Sequence, residues 1–119
     1  MYDKQNIFAK ILRKEIPCKK VYENDYVLAF HDATPQKKIH VLLIPKGEYV
    51  DLDHFIESAS EKEIIEFNKG IINVVKILKI SSKDNGYRVS SIIGLDSGQE
   101  VRHLHYHIFG GEKAGKMVS

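Results

Sequence analysis

The chain has 119 residues, 43% hydrophobic and 29% charged, with a formal net charge of +2. That length fits a single domain, residues 1–119, that can bury a core without staples, and the composition is ordinary for a globular protein. The small charge argues against nucleic-acid and anionic-membrane partners, because the basic residues are scattered and pairs such as Lys19-Lys20 and Lys37-Lys38 read as solvated surface. Cys18 is the only cysteine, so no internal disulfide forms and a reducing, cytoplasmic setting is expected. Asp3 and Lys4, with no long apolar stretch near them, argue against a signal peptide, and no apolar run approaches the ~18–20 residues of a membrane span.

In chain order, residues 1–5 read as a lead and residues 6–14 as a short helix. Asn6 serves as N-cap, and Ile7, Phe8, Ile11 and Leu12 form an apolar stripe. Val21-Tyr22 and Val27–Phe30 flank a hairpin turn, and Asp32–Pro35 is a further turn. Ile39–Ile44 is apolar on both faces, as a central strand is, and Pro45 ends it. The strongest helix is 60–79: Ser60 and Glu63 make a capping box, and Ile64, Phe67, Ile71, Val74, Val75 and Leu78 share one face. Tyr87–Ile93 reads as a strand, Gly94–Gln99 as a glycine-bearing loop, Val101–Phe109 as a strand, and 112–119 as a frayed tail. With no recurrent βαβ alternation, the fold expected is α+β, a mostly antiparallel sheet with helices packed on one side.

The segment Val101-Arg102-His103-Leu104-His105-Tyr106-His107-Ile108-Phe109 carries three of the six histidines at alternate positions. On a strand they share one face, with Leu104, Tyr106 and Ile108 on the other. Neighbouring imidazoles then stand roughly 6.6 Å apart at Cα, suited to gripping a small tetrahedral anion. Such a row is costly to bury without anionic or metal partners. Two chemistries compete. Zinc accepts nitrogens of a His-x-His pair, but the outer members lie roughly 13 Å apart, so a metal would also need His40 or a carboxylate. In phosphate chemistry one neutral imidazole attacks phosphorus while a neighbour handles the leaving-group proton. The adjacent Gly94–Glu100 loop lets backbone N–H groups approach an anion, which favours phosphate. His40 is a candidate orienter of the nucleophile, and Asp32, after His31, reads equally as a ribose acceptor or a turn cap.

These residues resemble the histidine-triad (HIT) signature, His-x-His-x-His with apolar residues between. Ile7-Phe8, Phe30-His31-Asp32 with Pro35-Gln36, His40 with Ile44-Pro45-Lys46, Gly86-Tyr87-Arg88 and Gly98-Gln99-Glu100-Val101 match in the family's order over about residues 6 to 111. The nearest branch is the Hint-like purine nucleoside phosphoramidases, in a bacterial form. The resemblance implies a five-stranded antiparallel sheet with two main helices, extended across a homodimer, and hydrolysis of P–N bonds in purine nucleoside monophosphate derivatives without a cofactor or metal. It implies His105 as nucleophile, His107 as phosphate ligand and proton handler, and His103 and His40 as supporting members. It assigns Asp32 to the ribose, Ile7, Phe8, Ile11, Phe30, His31 and Leu42 to the base pocket, and Gly98, Gln99, Glu100 and Val101 to the phosphate end. A base pocket of apolar side chains would hold purines without strong discrimination. Ile92 departs from the pattern, where Asn is usual; Glu100 stands where many members carry Ser; and the tail lacks a Trp-Pro-Pro ending. Asn6 and Ala9 stand where some bacterial members carry the cysteines of a structural zinc. The alternative to an enzyme is a purine nucleotide-binding module with weak turnover.

Overall fold

Val27-Leu28-Ala29-Phe30 and Val41-Leu42-Leu43-Ile44 are apolar at every position, so a sheet built around them needs cover on both faces. The computed structural model, which describes residues 1–116, has that arrangement. Strands β1 (Lys20–Glu23), β2 (Val27–His31), β3 (Ile39–Pro45), β4 (Arg88–Ser90) and β5 (Tyr106–Gly110) form one sheet in the order β1-β2-β3-β5-β4. Every neighbouring pair is antiparallel. On one face, Val27, Ala29, Val41 and Leu43 pack with Phe55 of α2 (Leu52–Ser58) and with Phe67, Val74 and Val75 of α3 (Glu61–Ile77). On the other, Leu28, Phe30, Leu42 and Ile44 pack with Phe8 and Ile11 of α1 (Ile7–Leu12). The helices therefore cover both faces, which corrects the one-sided expectation. The doubly apolar β2 and β3 require it.

Helix α3 begins as its sequence dictates. The Ser60 hydroxyl accepts from the Glu63 N–H at 3.1 Å, and the Glu63 carboxylate accepts from the Ser60 N–H at 3.1 Å. Removing the hydroxyl leaves a first-turn donor without this partner. Ser60→Ala is expected to lower unfolding free energy by about 1 kcal/mol, read as a shift of the urea midpoint at constant slope. Two helices escape the sequence pattern. Helix α2 is only seven residues, too short for a periodic signal, although Asp51 caps it by accepting from the His54 N–H at 2.9 Å. Helix α4 (Gly94–Ser97) is one turn inside the expected loop, closed by Gly98 at φ 86°, a left-handed conformation suited to glycine.

The histidine segment is a ladder strand only from Tyr106 onward, which corrects the expected span of 101–109. Leu43 pairs with Tyr106, so the same register sets Leu104 opposite Pro45. Proline has no N–H to give. The Leu104 N–H instead donates to the Tyr49 carbonyl at 2.7 Å, and the Pro45 carbonyl takes the His103 ring at 2.9 Å. Period-two alternation nonetheless persists off the ladder. Leu104 and Ile108 are buried in the α3-side core, with Tyr106 packed against it. Strand β4 is likewise shorter than 87–93, because the chain turns away into α4 after Ser90. In the tail, the Glu112 carboxylate accepts from the Lys38 N–H at 2.6 Å and Arg88 donates to the Gly115 carbonyl at 2.6 Å. Positions 117–119 of the tail expected to fray lie outside the described residues.

Candidate active site

On the α1 face, Phe8 and Ile11 cover Leu28 and Phe30 of β2 and Leu42 and Ile44 of β3, while His107 on β5 is only half-buried. His40 on β3 lies on that face, with its Nε2 2.8 Å from Nδ1 of His107 on β5. His105 sits on the approach to β5, its ring centroid 5.2 Å from that of His107 and 5.0 Å from that of Phe8. Phe109, two residues beyond His107, lies parallel to it at 5.8 Å and touches the His40 ring at 4.4 Å. The sequence reading did not single out Phe109, although the alternation that marked the histidines reaches it. His103 is different: it is fully buried, between Tyr2, Phe8 and the end of β3. The expected row of three equivalent imidazoles is thus two imidazoles at the surface of the site and one behind them.

The hydrogen bonds dictate where each ring carries its proton, because a carbonyl only accepts and a backbone N–H only donates. His105 Nδ1 donates to the His103 carbonyl at 2.7 Å, which leaves its Nε2 with a bare lone pair. The Gln36 N–H donates to His40 Nδ1 at 3.0 Å, so neutral His40 carries its proton on Nε2 and donates it to His107 Nδ1. His107 then presents Nε2–H outward. One imidazole therefore shows a bare nitrogen and its neighbour shows a donor. The Ser91 hydroxyl adds a donor to the His105 carbonyl at 3.2 Å, holding that backbone.

Burial keeps these rings neutral. Desolvation lowers the pKa of His103 and of His107 to about 4, with the neighbouring His105 adding to both shifts. Desolvation also lowers His105 and His40, against the opposing pull of the Asp32 carboxylate. Neutral imidazole is the nucleophilic form, and burial favours it in all four rings.

A cavity of about 1000 Å³ lies beside this cluster, between α1 and strands β2 and β3. Ile7, Phe8, Ile11, Phe30, His31 and Leu42, the expected base pocket, all line it, together with Asp32, His40 and Val101. Ile16, Pro17 and Cys18 also line it and carried no sequence signal, since the chain folds back there after α1. Asp32 caps its turn, Oδ1 accepting from the Thr34 N–H at 2.8 Å, while Oδ2 lies 3.4 Å from His40 Nε2. In the expected phosphate loop, Gly98 and Glu100 are exposed. The Gln99 amide is engaged inward, donating to the Val50 and Val101 carbonyls at 2.9 and 3.0 Å and accepting from the Gly94 N–H at 3.0 Å. It shapes the loop, and its polar atoms are already partnered.

The zinc set of His103, His105 and His40 is not assembled, since both ring nitrogens of His103 are engaged elsewhere. Asp32, His40 and His107 do bring ligand atoms within 4.8 Å of one another. Ligation through His40 Nε2 would require its proton to move to Nδ1, facing the Gln36 N–H. The hydrogen bonding therefore disfavours a metal there.

The HIT domain profile matches residues 13–114. An uncharacterised 13.2 kDa HIT-like protein of Azospirillum brasilense is 48% identical over 118 residues, covering 99% of this chain and 95% of that protein. The solved structure of a HIT family hydrolase from Clostridium thermocellum superposes with a TM-score of 0.83 at 32% identity, covering 98% of this chain and 99% of that one. A histidine triad nucleotide-binding protein from Candida albicans superposes with a TM-score of 0.77 at 29% identity, over 87% and 73% of the two chains. A matched profile spanning most of the chain, and a fold shared with proteins of that name, agree with the cluster of His40, His105 and His107: this chain belongs to the HIT family.

Proposed function

We propose that the protein is a nucleotide hydrolase that cleaves the P–N bond of purine nucleoside 5′-phosphoramidates. The observation that carries this reading is the bare Nε2 of His105 beside the outward Nε2–H of His107, next to an apolar cavity with Asp32 on its wall. The base lies among Phe8, Ile11, Phe30 and Leu42, and Asp32 accepts from the ribose hydroxyls through Oδ2. His105 Nε2 attacks the α-phosphorus. The seated phosphate anion raises the basicity of His107, which takes up one proton on Nδ1 as the His40 Nε2–H turns to the Asp32 carboxylate 3.4 Å away. His107 then gives its Nε2 proton to the leaving nitrogen, and the P–N bond breaks as the His105–phosphorus bond forms. The His103 carbonyl, holding His105 Nδ1–H, stabilises the charged nucleotidyl-imidazole. Water then displaces His105 and returns a proton to His107. Incubation with adenosine 5′-phosphoramidate is expected to release AMP equally with and without EDTA. No release, with AMP still bound in calorimetry, would support the binding-module reading instead; loss with EDTA would support a metal enzyme.

Ile92 bears on the rate. Ile92 lies two residues beyond Ser90, the last residue of β4, which pairs with His107. Ile92→Asn would restore an amide near the phosphate. One net hydrogen bond of about 1 kcal/mol predicts roughly five-fold faster turnover. Unchanged or slower turnover would show that the phosphate does not reach this position.

We also propose a homodimer. The outer edge of β4 and the exposed Ile65 and Ile72 on α3 are surfaces for a second copy to cover. Sedimentation velocity should then give twice the 13.6 kDa chain mass.

A further inference from the structure

Tyr2 lies in the five-residue lead that precedes α1, outside the helix, the sheet and the cavity lining. Yet its hydroxyl oxygen is 2.6 Å from His103 Nδ1, and its ring meets the His103 ring edge-on at a centroid distance of 5.5 Å. The direction of this hydrogen bond follows from its surroundings. His103 Nε2 faces the Pro45 carbonyl at 2.9 Å, which only accepts, so Nε2 carries the ring's proton. Nδ1 of the neutral ring is then bare, and Tyr2 must donate to it. The buried imidazole thus has one donor and one acceptor, both satisfied. Its carbonyl in turn accepts the Nδ1–H of His105, the bond that leaves His105 Nε2 free to attack.

We propose that Tyr2 is a positioning residue, which holds His103 in its Nε2–H form and, through the His103 carbonyl, keeps His105 in the form that exposes a bare Nε2. The inference rests on the nucleophilic role proposed for His105, but the hydrogen-bond chain itself is independent of any activity. With Tyr2 in place His103 is fully buried, and a phenyl ring at position 2 would still cover it while offering no donor. Without Tyr2 the Nδ1 acceptor is orphaned. Turning the ring to seek a partner breaks the Pro45 bond and shifts the carbonyl that His105 uses. Tyr2 reaches none of the cavity that would hold the nucleotide, so its loss should leave substrate affinity unchanged.

The test is Tyr2→Phe, which keeps the ring and removes only the donor. Imidazole nitrogen NMR of the wild-type protein should show His103 as a single Nε2–H tautomer, His105 as a single Nδ1–H tautomer, and a slowly exchanging Tyr2 hydroxyl proton near His103. In Tyr2→Phe, the His103 Nδ1 resonance should move to that of an unbonded nitrogen and His105 should become a mixture of tautomers. With the phosphoramidate, kcat should fall roughly three- to ten-fold at unchanged KM, as expected for loss of one oriented hydrogen bond. A pure Nδ1–H tautomer of His105 in Tyr2→Phe, or an unchanged kcat, would overturn the proposal. If the variant does not fold, the wild-type spectrum decides: an Nδ1–H tautomer at His103, or no protected Tyr2 hydroxyl, overturns it. If wild-type protein hydrolyses no phosphoramidate, the proposed function fails while the tautomer measurements still judge Tyr2.

Discussion

Replacing His105 with alanine is expected to lower AMP release from adenosine phosphoramidate by about 10³-fold or more, because it removes the group proposed to form the covalent intermediate. Among the four clustered imidazoles, His105 is the one whose free nitrogen is a bare acceptor. His103 has both nitrogens engaged, His40 donates from Nε2, and His107 presents a proton. The alanine protein should still bind AMP, because Phe8, Phe30, Leu42 and Asp32 line the cavity independently of the ring. Single-turnover assays alongside AMP calorimetry separate these effects: kcat collapses while the AMP dissociation constant changes little. His105→Gly with added imidazole should recover part of the rate, since a free imidazole can enter the space that the ring vacates. Turnover by His105→Ala within ten-fold of wild type would remove the covalent route, and with it the reason for the tautomer arrangement.

Much of that arrangement was legible in the sequence at the level of faces and less so at the level of hydrogen bonds. Alternation placed Leu104, Tyr106 and Ile108 opposite the histidines correctly, because side-chain direction follows the extended backbone whether or not a ladder forms. It did not show that the ladder starts only at Tyr106. That depends on Pro45 lying across from Leu104, a pairing between residues far apart in the chain. The six expected base-pocket residues do line one cavity, since Ile7, Phe8 and Ile11 share a helix stripe and Phe30 and Leu42 occupy one face of paired strands. The roles of Gln36 and Tyr2 were not legible. One acts through a backbone N–H, which any residue except proline supplies, and the other lies 101 positions from its partner. Gln99 reverses the usual inference from residue type. A polar side chain in a glycine-bearing loop reads as a ligand contact, yet its amide is consumed in holding the loop against Val50 and Val101.

The buried imidazoles also make the fold sensitive to acid, with a definite sign and window. The ordinary histidine value of 6.5 describes the unfolded chain, while burial lowers His103 to about 4 in the folded protein. Above pH 6.5 the ring is neutral in both states and titration changes nothing. As pH falls from 6.5 towards 4, the unfolded state binds a proton that the folded state refuses, so stability is lost, and the loss levels off below about 4. A difference of this size corresponds to about 3 kcal/mol for His103 alone, of which about 2 kcal/mol is gone by pH 5. His107 shifts in the same direction but is half-buried and contributes less; His40 and His105 add with the same sign. Carboxylates held below their ordinary value, such as Glu63 beside Tyr49, lose their contribution only at lower pH and do not account for a change between 5 and 6.5. Urea titrations at pH 7.5 and pH 5 should therefore differ by at least 2 kcal/mol at equal slope. His103→Leu supplies the control. It leaves the Tyr2 hydroxyl and the Pro45 carbonyl without the ring and is less stable at pH 7.5, by about 1–3 kcal/mol, but it has lost the largest titrating group. The gap between its two titrations should shrink by about 2 kcal/mol relative to wild type. An unchanged gap would mean that His103 is as easily protonated in the fold as in water. Its buried position, with Nδ1 and Nε2 both engaged, forbids that without opening the end of β3.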